Sequence, residues 1–107
     1  MKEISKLSEF EHGDFYVLSN KTVLNEIIRG KDFSECSIRQ VDFSNCTFDS
    51  TSFMCSKCEY LTFKNCIFHS VTFGESELEN FIFHNCQLRD THFSGSDLMV
   101  QKLTKKF

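Results

Sequence analysis

Large apolar residues recur at every fifth position along most of this chain. From Phe33 to Leu103 there are fifteen such positions, which we call centres; fourteen are Phe, Leu or Ile, and one is Cys58. An α-helix repeats its apolar face every 3.6 residues or so and a half-buried strand every second residue, so neither explains a period of five. The pattern predicts a coil in which every fifth side chain points inward. The predicted core residues at these centres are Phe33, Phe43, Phe48, Phe53, Phe63, Phe68, Phe73, Leu78, Phe83, Leu88, Phe93 and Leu98.

A second ordered position lies two residues before each centre. From residue 36 onward it is mostly small or apolar and never charged, whereas the other three positions of each five carry nearly all the charged residues. Residues 43–48, 63–68 and 83–88 also align with one another, so four groups of five residues make one unit of twenty. We predict a four-sided coil whose turns stack at the strand spacing of about 4.8 Å. Stacking would form an inward ladder of Cys46, Cys66 and Cys86 and a side-chain amide ladder of Asn45, Asn65 and Asn85.

These repeats resemble those of the pentapeptide-repeat family, in which a small residue and an Asp or Asn precede a Leu or Phe centre and two polar residues follow it. The segments Val41-Asp42-Phe43-Ser44-Asn45 and Ser96-Asp97-Leu98 carry the resemblance, which extends over residues 31–105. It implies an all-β fold, a right-handed quadrilateral β-helix, here of just under four coils. The chain departs from the family at the small position, where it has no Ala and where Leu61 and Phe81 are bulkier than usual.

Residues 1–30 differ from the repeats and are predicted to form an N-terminal cap. We expect a frayed start over residues 1–12, a short strand over residues 15–18 and a capping helix over about 21–29. Asn20 suits the helix N-cap, Gly30 suits the position after its last turn, and four apolar residues share one helical face (Val23, Leu24, Ile27 and Ile28). The alternative is an irregular first coil, because the five-residue phase also runs back through Ile28, Val23 and Leu18.

The C-terminal segment, residues 98–107, is predicted to be a cap or a dimer contact. No helix of useful length follows the last coil to cover its open end, and exposed apolar surface tends to find partners. The resemblance implies dimerisation through this end, and we expect a symmetric homodimer; the alternative is a monomer whose tail folds over its own end. The predicted contact residues are Leu98, Met99, Val100, Leu103 and Phe107.

Composition narrows the class of protein. The chain has 107 residues, enough for one domain, of which 40% are hydrophobic and 25% charged. Its net charge of −3 disfavours direct nucleic-acid binding by a basic surface. No apolar run approaches the roughly 18 residues of a membrane helix, so we expect no membrane partner. The N-terminus has no apolar signal region, which predicts a cytoplasmic location.

The sequence contains little that predicts catalysis. Cys55 and Cys58 form a lone C-x-x-C pair, which lacks the second pair of a zinc site and the helix start of a redox site. We expect six free thiols, no metal and no cofactor. His69, His84 and His92 are expected on the surface with no carboxylate partner fixed by the repeat. Without a nucleophile motif or a phosphate loop, the chain is predicted not to be an enzyme.

One side of the predicted coil is acidic. Arg39 and Lys57 only partly offset its carboxylates, and the plain interpretation is a solvated, solubilising face. We therefore predict a rigid protein-interaction module whose protein partner the sequence does not identify. The resemblance implies an alternative, a DNA-mimicking regulator of DNA gyrase or topoisomerase IV that protects against fluoroquinolones. The possible partner face consists of Glu59, Glu75, Glu77, Glu79 and Asp97.

Overall fold

The computed structural model describes the backbone of residues 3–4 and 17–105 and the side chains of residues 17–96. The regular structure of these residues consists of parallel β-strands, and no helix is present in the described chain. The strands are β1 (Glu3–Ile4), β2 (Val17–Leu24), β3 (Ile27–Arg29), β4 (Ser37–Ser44), β5 (Thr47–Asp49), β6 (Lys57–Lys64), β7 (Ile67–Thr72), β8 (Glu77–His92) and β9 (Asp97–Lys105).

Most strand residues pair with the residue twenty positions further along the chain. Phe43 pairs with Phe63 and Phe63 with Phe83 in one sheet, and Phe48 pairs with Phe68 in another. Twenty residues therefore complete one turn, and the chain forms a four-sided parallel β-solenoid of about four turns, which confirms the predicted quadrilateral β-helix.

Each side of the solenoid is named here by its inward centres. The first face has Leu18, Ile38, Cys58 and Leu78; the second has Val23, Phe43, Phe63 and Phe83; the third has Ile28, Phe48, Phe68 and Leu88; the fourth has Phe33, Phe53, Phe73 and Phe93. The first three faces are built of strands. On the fourth, isolated bridges join Asp32 to Ser52 and Ser52 to Thr72, and the ends of β7 and β8 pair through Val71 with Thr91 and Thr72 with His92.

The predicted helix over residues 21–29 is wrong. β2 and β3 occupy this segment, and their residues pair with β4 and β5 of the next turn. Val23 and Ile28 are fully buried as centres, whereas Leu24 and Ile27 are 39% and 60% exposed, so the four residues do not share one buried face. Parallel pairing with the next turn satisfies the backbone and buries two of the four apolar side chains, and it overrides the local helical pattern.

The solenoid consequently begins before the predicted boundary at residue 31. Its described part starts at Val17, and β1 adds a short pairing of Glu3 and Ile4 with Lys21 and Thr22 of β2. Of the predicted strand over residues 15–18, the last two residues belong to β2, and the first two lie outside the described residues. The rest of the predicted frayed start lies outside them as well.

Stacked aromatic rings fill the interior. Phe43, Phe63 and Phe83 lie in one column with ring centroids 4.9 and 5.3 Å apart, and the fourth-face column from Phe33 to Phe93 has spacings of 4.9, 4.8 and 5.1 Å. Rings of neighbouring columns meet edge to face, an arrangement that adds about 0.5–1.5 kcal/mol per pair beyond burial. The predicted core residues are nearly all fully buried; Leu88 and Phe93 are half-buried, and the side chain of Leu98 lies outside the described residues.

The position two residues before each centre ties one turn to the turn before it. The Ser56 hydroxyl donates to the carbonyl of Phe33 at 2.8 Å, and the Ser76 hydroxyl donates to that of Phe53 at 2.7 Å. The Cys86 thiol makes the same contact with the carbonyl of Phe63 at 3.3 Å. Serine and cysteine are therefore small enough for this inward position and also supply a donor, which the Ala typical of such repeats would lack. The bulky Phe81 is buried instead, and the register between β8 and β9 shifts beside it.

Every fifth residue from Asn20 to Gly95 has a positive φ, between 47° and 73°. These residues form the corners of the coil, two positions after each centre. Asn, Asp and Gly tolerate this left-handed conformation best, and they occupy more than half of the corners. Tyr60 is a bulky exception with φ of 56° and a half-exposed side chain. The corner requirement explains the recurrent Asn residues, for which the sequence pattern predicts only an amide ladder.

Candidate interaction surface

The outer side of the first face carries the acidic residues predicted to meet a partner. Ile38, Cys58 and Leu78 point inward on this face, and strand alternation therefore turns the residues on either side of each centre outward. Glu59 of β6 and Glu79 of β8 are register partners on successive turns, which places two carboxylates one above the other. Glu59 and Glu79 therefore form a negative strip, which lies beside the corners at Tyr60 and Asn80.

Positive charge compensates this strip only in part. Arg39 Nε lies 3.6 Å from Glu59 Oε2, and Lys57 is the register partner of Glu77. Among the described residues, Glu77 and Glu79 form no ion pair and both are exposed. Asp97 continues the column above Glu77 in the backbone of β9, but its side chain lies outside the described residues.

Glu75 extends the acidic surface to the corner between the fourth and first faces. It lies there one turn above Cys55, whose thiol donates to Glu75 Oε2 at 3.8 Å. Local desolvation and the carboxylates of Glu75 and Glu35 raise the pKa of Cys55. The corner thiol is therefore held in its neutral form, which is a poor nucleophile.

The structure separates the two cysteines of the C-x-x-C pair. Cys55 is exposed at the corner, whereas Cys58 is a fully buried centre of the first face, where burial raises its pKa to about 12. Within the described chain, no group of three or more His, Cys, Asp or Glu residues lies close enough to hold a metal ion. The described residues also include no membrane-spanning helix.

The predicted Cys ladder lies inside the solenoid, and the predicted Asn ladder lies on its outer surface. Cys46, Cys66 and Cys86 are buried, and all six cysteines of the chain are free thiols. Hydrogen bonding to the neighbouring thiols of the ladder, together with burial, raises the pKa of Cys66. On the outside, the amide of Asn85 donates to Asn65 Oδ1 at 2.7 Å, and Asn45 occupies the same corner one turn below Asn65.

The expectation that no histidine has a carboxylate partner fixed by the repeat is wrong for His69. Its Nδ1 lies 3.2 Å from Asp49 Oδ1 on the preceding turn, and its Nε2 lies 3.9 Å from Asp90 Oδ2 on the following one. The hydrogen bond from His69 is the main cause that holds the pKa of Asp49 below its usual range, and Ser50 and Arg29 add to it. Twenty-residue spacing between Asp49 and His69 was the sequence signal. His84 and His92 are exposed.

The predicted dimer contact lies at the C-terminal end of the solenoid. The backbone of β9 continues the first and second faces, where Leu98 pairs with Leu78 and Leu103 with Phe83. The side chains of Leu98, Met99, Val100 and Leu103, together with all of Phe107, lie outside the described residues. Dimerisation through this end remains a prediction.

Comparisons with known proteins agree with this geometry. A profile of pentapeptide repeats matches residues 32–69 and 66–99, with eight copies of the repeat. The fold is similar to that of trypsin-treated QnrB1, a plasmid-mediated fluoroquinolone resistance protein, with a TM-score of 0.65 and 17% identity over 95% of this chain and 49% of that one. The chain thus spans about half the length of the QnrB1 chain, and the likeness shows the fold alone.

A second solved structure matches more loosely. It is the pentapeptide repeat protein Rfr23 from the cyanobacterium Cyanothece 51142, with a TM-score of 0.34 and 8% identity over 79% of this chain and 90% of that one. No curated protein matches the sequence.

Proposed function

Because the chain belongs to the pentapeptide-repeat family, we propose that it is a rigid, non-enzymatic module that binds a protein partner on its outer faces. The observation that supports this most is the filled interior. Because stacked rings occupy the interior, a partner can contact only the outward side chains between the centres. The function of such a fold resides in its surface chemistry.

The acidic first face is the surface that we assign to the partner. Glu59 and Glu79 are stacked in register, and Glu77 lies beside them on the same face. A complementary partner surface would be basic, because opposite charges steer association and fix its register. The proposal places the protein and its partner in the cytoplasm and joins two copies as a homodimer through residues 98–107.

A second candidate function is a DNA-mimicking regulator of DNA gyrase or topoisomerase IV. The in-register carboxylates of Glu59 and Glu79 favour it, because they repeat along the solenoid axis as phosphates repeat along a duplex. The fold shared with QnrB1, a fluoroquinolone resistance protein, is in line with it. Four turns at about 4.8 Å span about 20 Å, so a duplex-like rod requires the homodimer.

Capture experiments test the module and its face. The wild-type chain is immobilised beside a variant with Glu59→Gln, Glu77→Gln and Glu79→Gln, and bound proteins from its native lysate are identified. The matched control removes three carboxylates from the other faces (Asp32→Asn, Asp42→Asn and Asp90→Asn). A specific partner that the control keeps and the first variant loses supports the assignment. Equal capture by all three proteins contradicts it.

A gyrase supercoiling assay separates the two candidate functions. The DNA-mimic function predicts that the wild-type protein alters supercoiling, or its inhibition by a fluoroquinolone, at micromolar concentration. The first-face variant would have lost this effect and the control would retain it. No effect of the wild-type protein would remove the DNA-mimic function and leave the interaction module.

A further inference from the structure

We propose that Asp49, His69 and Asp90 form a proton-dependent clamp that ties three successive turns of the third face together. The three residues come from β5, β7 and the corner that follows the third-face part of β8. One imidazole ring lies between two carboxylates, with Nδ1 3.2 Å from Asp49 and Nε2 3.9 Å from Asp90.

The solenoid sets this geometry through its register. Asp49 pairs with His69 and His69 pairs with Arg89, so successive turns place these side chains in one outward column. A neutral imidazole can donate one N–H to Asp49 but has no charge to attract Asp90, whereas the protonated ring has both. At 3.9 Å the contact of Nε2 with Asp90 is beyond hydrogen-bond distance, so protonation makes it an ion pair and gives the contact with Asp49 an ionic character as well.

Other polar and charged groups on the packed strands lie beside the clamp. Arg29 of β3 lies 3.7 Å from Asp49 Oδ2, and the Ser50 hydroxyl lies 3.2 Å from Asp49 Oδ1, so this carboxylate stays ionised under mild acid. Arg89 of β8 lies in register with His69, so its positive charge opposes that of a protonated ring, and Asp90 follows it directly. Since the pKa of Asp49 is lowered, its carboxylate keeps its charge as the pH falls and can pair with a protonated ring.

A double-mutant cycle at two pH values tests the clamp. Asp49→Asn and His69→Gln are made singly and together, and the unfolding equilibrium constant of each protein is measured in urea. We expect the two changes to be coupled about two- to five-fold near pH 5.5, the range of exposed ion pairs, and by much less near pH 8. Both side chains are partly exposed, and the substituted amides are close in size, so the variants should fold.

His84→Gln is the matched control. It removes an exposed imidazole from the second face, where the register partner is Lys64 rather than a carboxylate. No coupling between His84→Gln and Asp49→Asn is expected at either pH. Coupling of Asp49 and His69 that is equal at both pH values, or absent at both, would overturn the proposal.

Asp90→Asn tests the second arm separately. The contact is longer and Asp90 is more exposed than Asp49, so we expect a smaller loss of stability near pH 5.5 than with Asp49→Asn, and none in the His69→Gln background. A loss that persists in the His69→Gln background would show that Asp90 acts without His69, and it would contradict the three-turn clamp.

Discussion

The first turn of the solenoid and the middle turns share one backbone but differ in their side chains. Residues 17–30 have aliphatic centres and carry exposed Val17, Leu24 and Ile27 on their outer side. The equivalent outer positions of the next turn are Ser37, Ser44 and Thr47, over centres that are mainly aromatic. The spacing of the centres and the pairing with the next turn therefore determine the coil. In the first turn, apolar residues between the centres add a helical pattern to the sequence, although the backbone is extended.

Removal of a ring from the middle turns should have the largest effect. Phe63 contacts rings of its own column, of the neighbouring third-face column and of the fourth-face column opposite, and it is fully buried. Phe63→Ala should cost about 3–5 kcal/mol of unfolding free energy, because it leaves a cavity in a stack that cannot collapse. Val23→Ala, at the same position two turns earlier, should cost less. Urea unfolding measures both; equal costs would contradict the comparison.

A matched pair in the first turn distinguishes the coil from the helix. Ile28 is a fully buried centre, whereas its neighbour Ile27 is 60% exposed. Ile28→Ala should cost about 2–4 kcal/mol, in the range of large core truncations. Ile27→Ala should change stability by less than about 0.5 kcal/mol, as exposed substitutions do. In a helix that buried both residues the two costs would be similar.

Loss of a donor between turns should have a smaller effect. The Ser76 hydroxyl is buried and donates to the carbonyls of Phe53 and Gly74. Ser76→Ala should cost about 1–2 kcal/mol, because a buried carbonyl loses its side-chain donor. Ser76→Cys should recover part of this loss, since cysteines make the same contact at three equivalent positions (Cys46, Cys66 and Cys86). Thermal or urea unfolding measures the series, and an unchanged stability of Ser76→Ala would refute the role of this donor.

Relief of a strained corner should have the smallest effect and the opposite sign. Tyr60 adopts a φ of 56° in the middle turns, a conformation that Asn and Gly adopt more easily. Tyr60→Asn should stabilise the fold by about 0.5–1 kcal/mol. Gly30→Ala at a first-turn corner, where φ is 62° and the added methyl group meets no atom within 4 Å, should destabilise it through the backbone alone. A loss of stability in Tyr60→Asn would show that the ring contributes more than its corner costs.

The middle turns were predictable because one period determines both burial and stacking. Once Phe43, Phe63 and Phe83 are twenty residues apart, a four-sided coil places them in one column. The first turn was misassigned because Val23 and Ile28 belong to the five-residue phase and, with Leu24 and Ile27, also to a helical stripe. The local sequence does not distinguish the coil from the helix; the coil forms because β2 and β3 pair with β4 and β5.

The surface was predictable in part. The acidic face was predictable by assigning each residue to one of the four sides. The contact between Asp49 and His69 was predictable only by comparing outward residues twenty positions apart. The left-handed corners were missed because Asn45, Asn65 and Asn85 were interpreted by their side chains rather than by the backbone conformation that Asn tolerates. At other corners the chain has Glu35 and Tyr60, so the need for a left-handed backbone is not evident from the residue types alone.

The column of Phe43, Phe63 and Phe83 is the central claim, and a crystal structure of the full chain tests it most directly. We predict three parallel rings with centroids 4.9 and 5.3 Å apart, flanked by edge-to-face rings from the third face, and extended backbone over residues 21–29. Three rings in separate environments, or a helix over residues 21–29, would contradict the account.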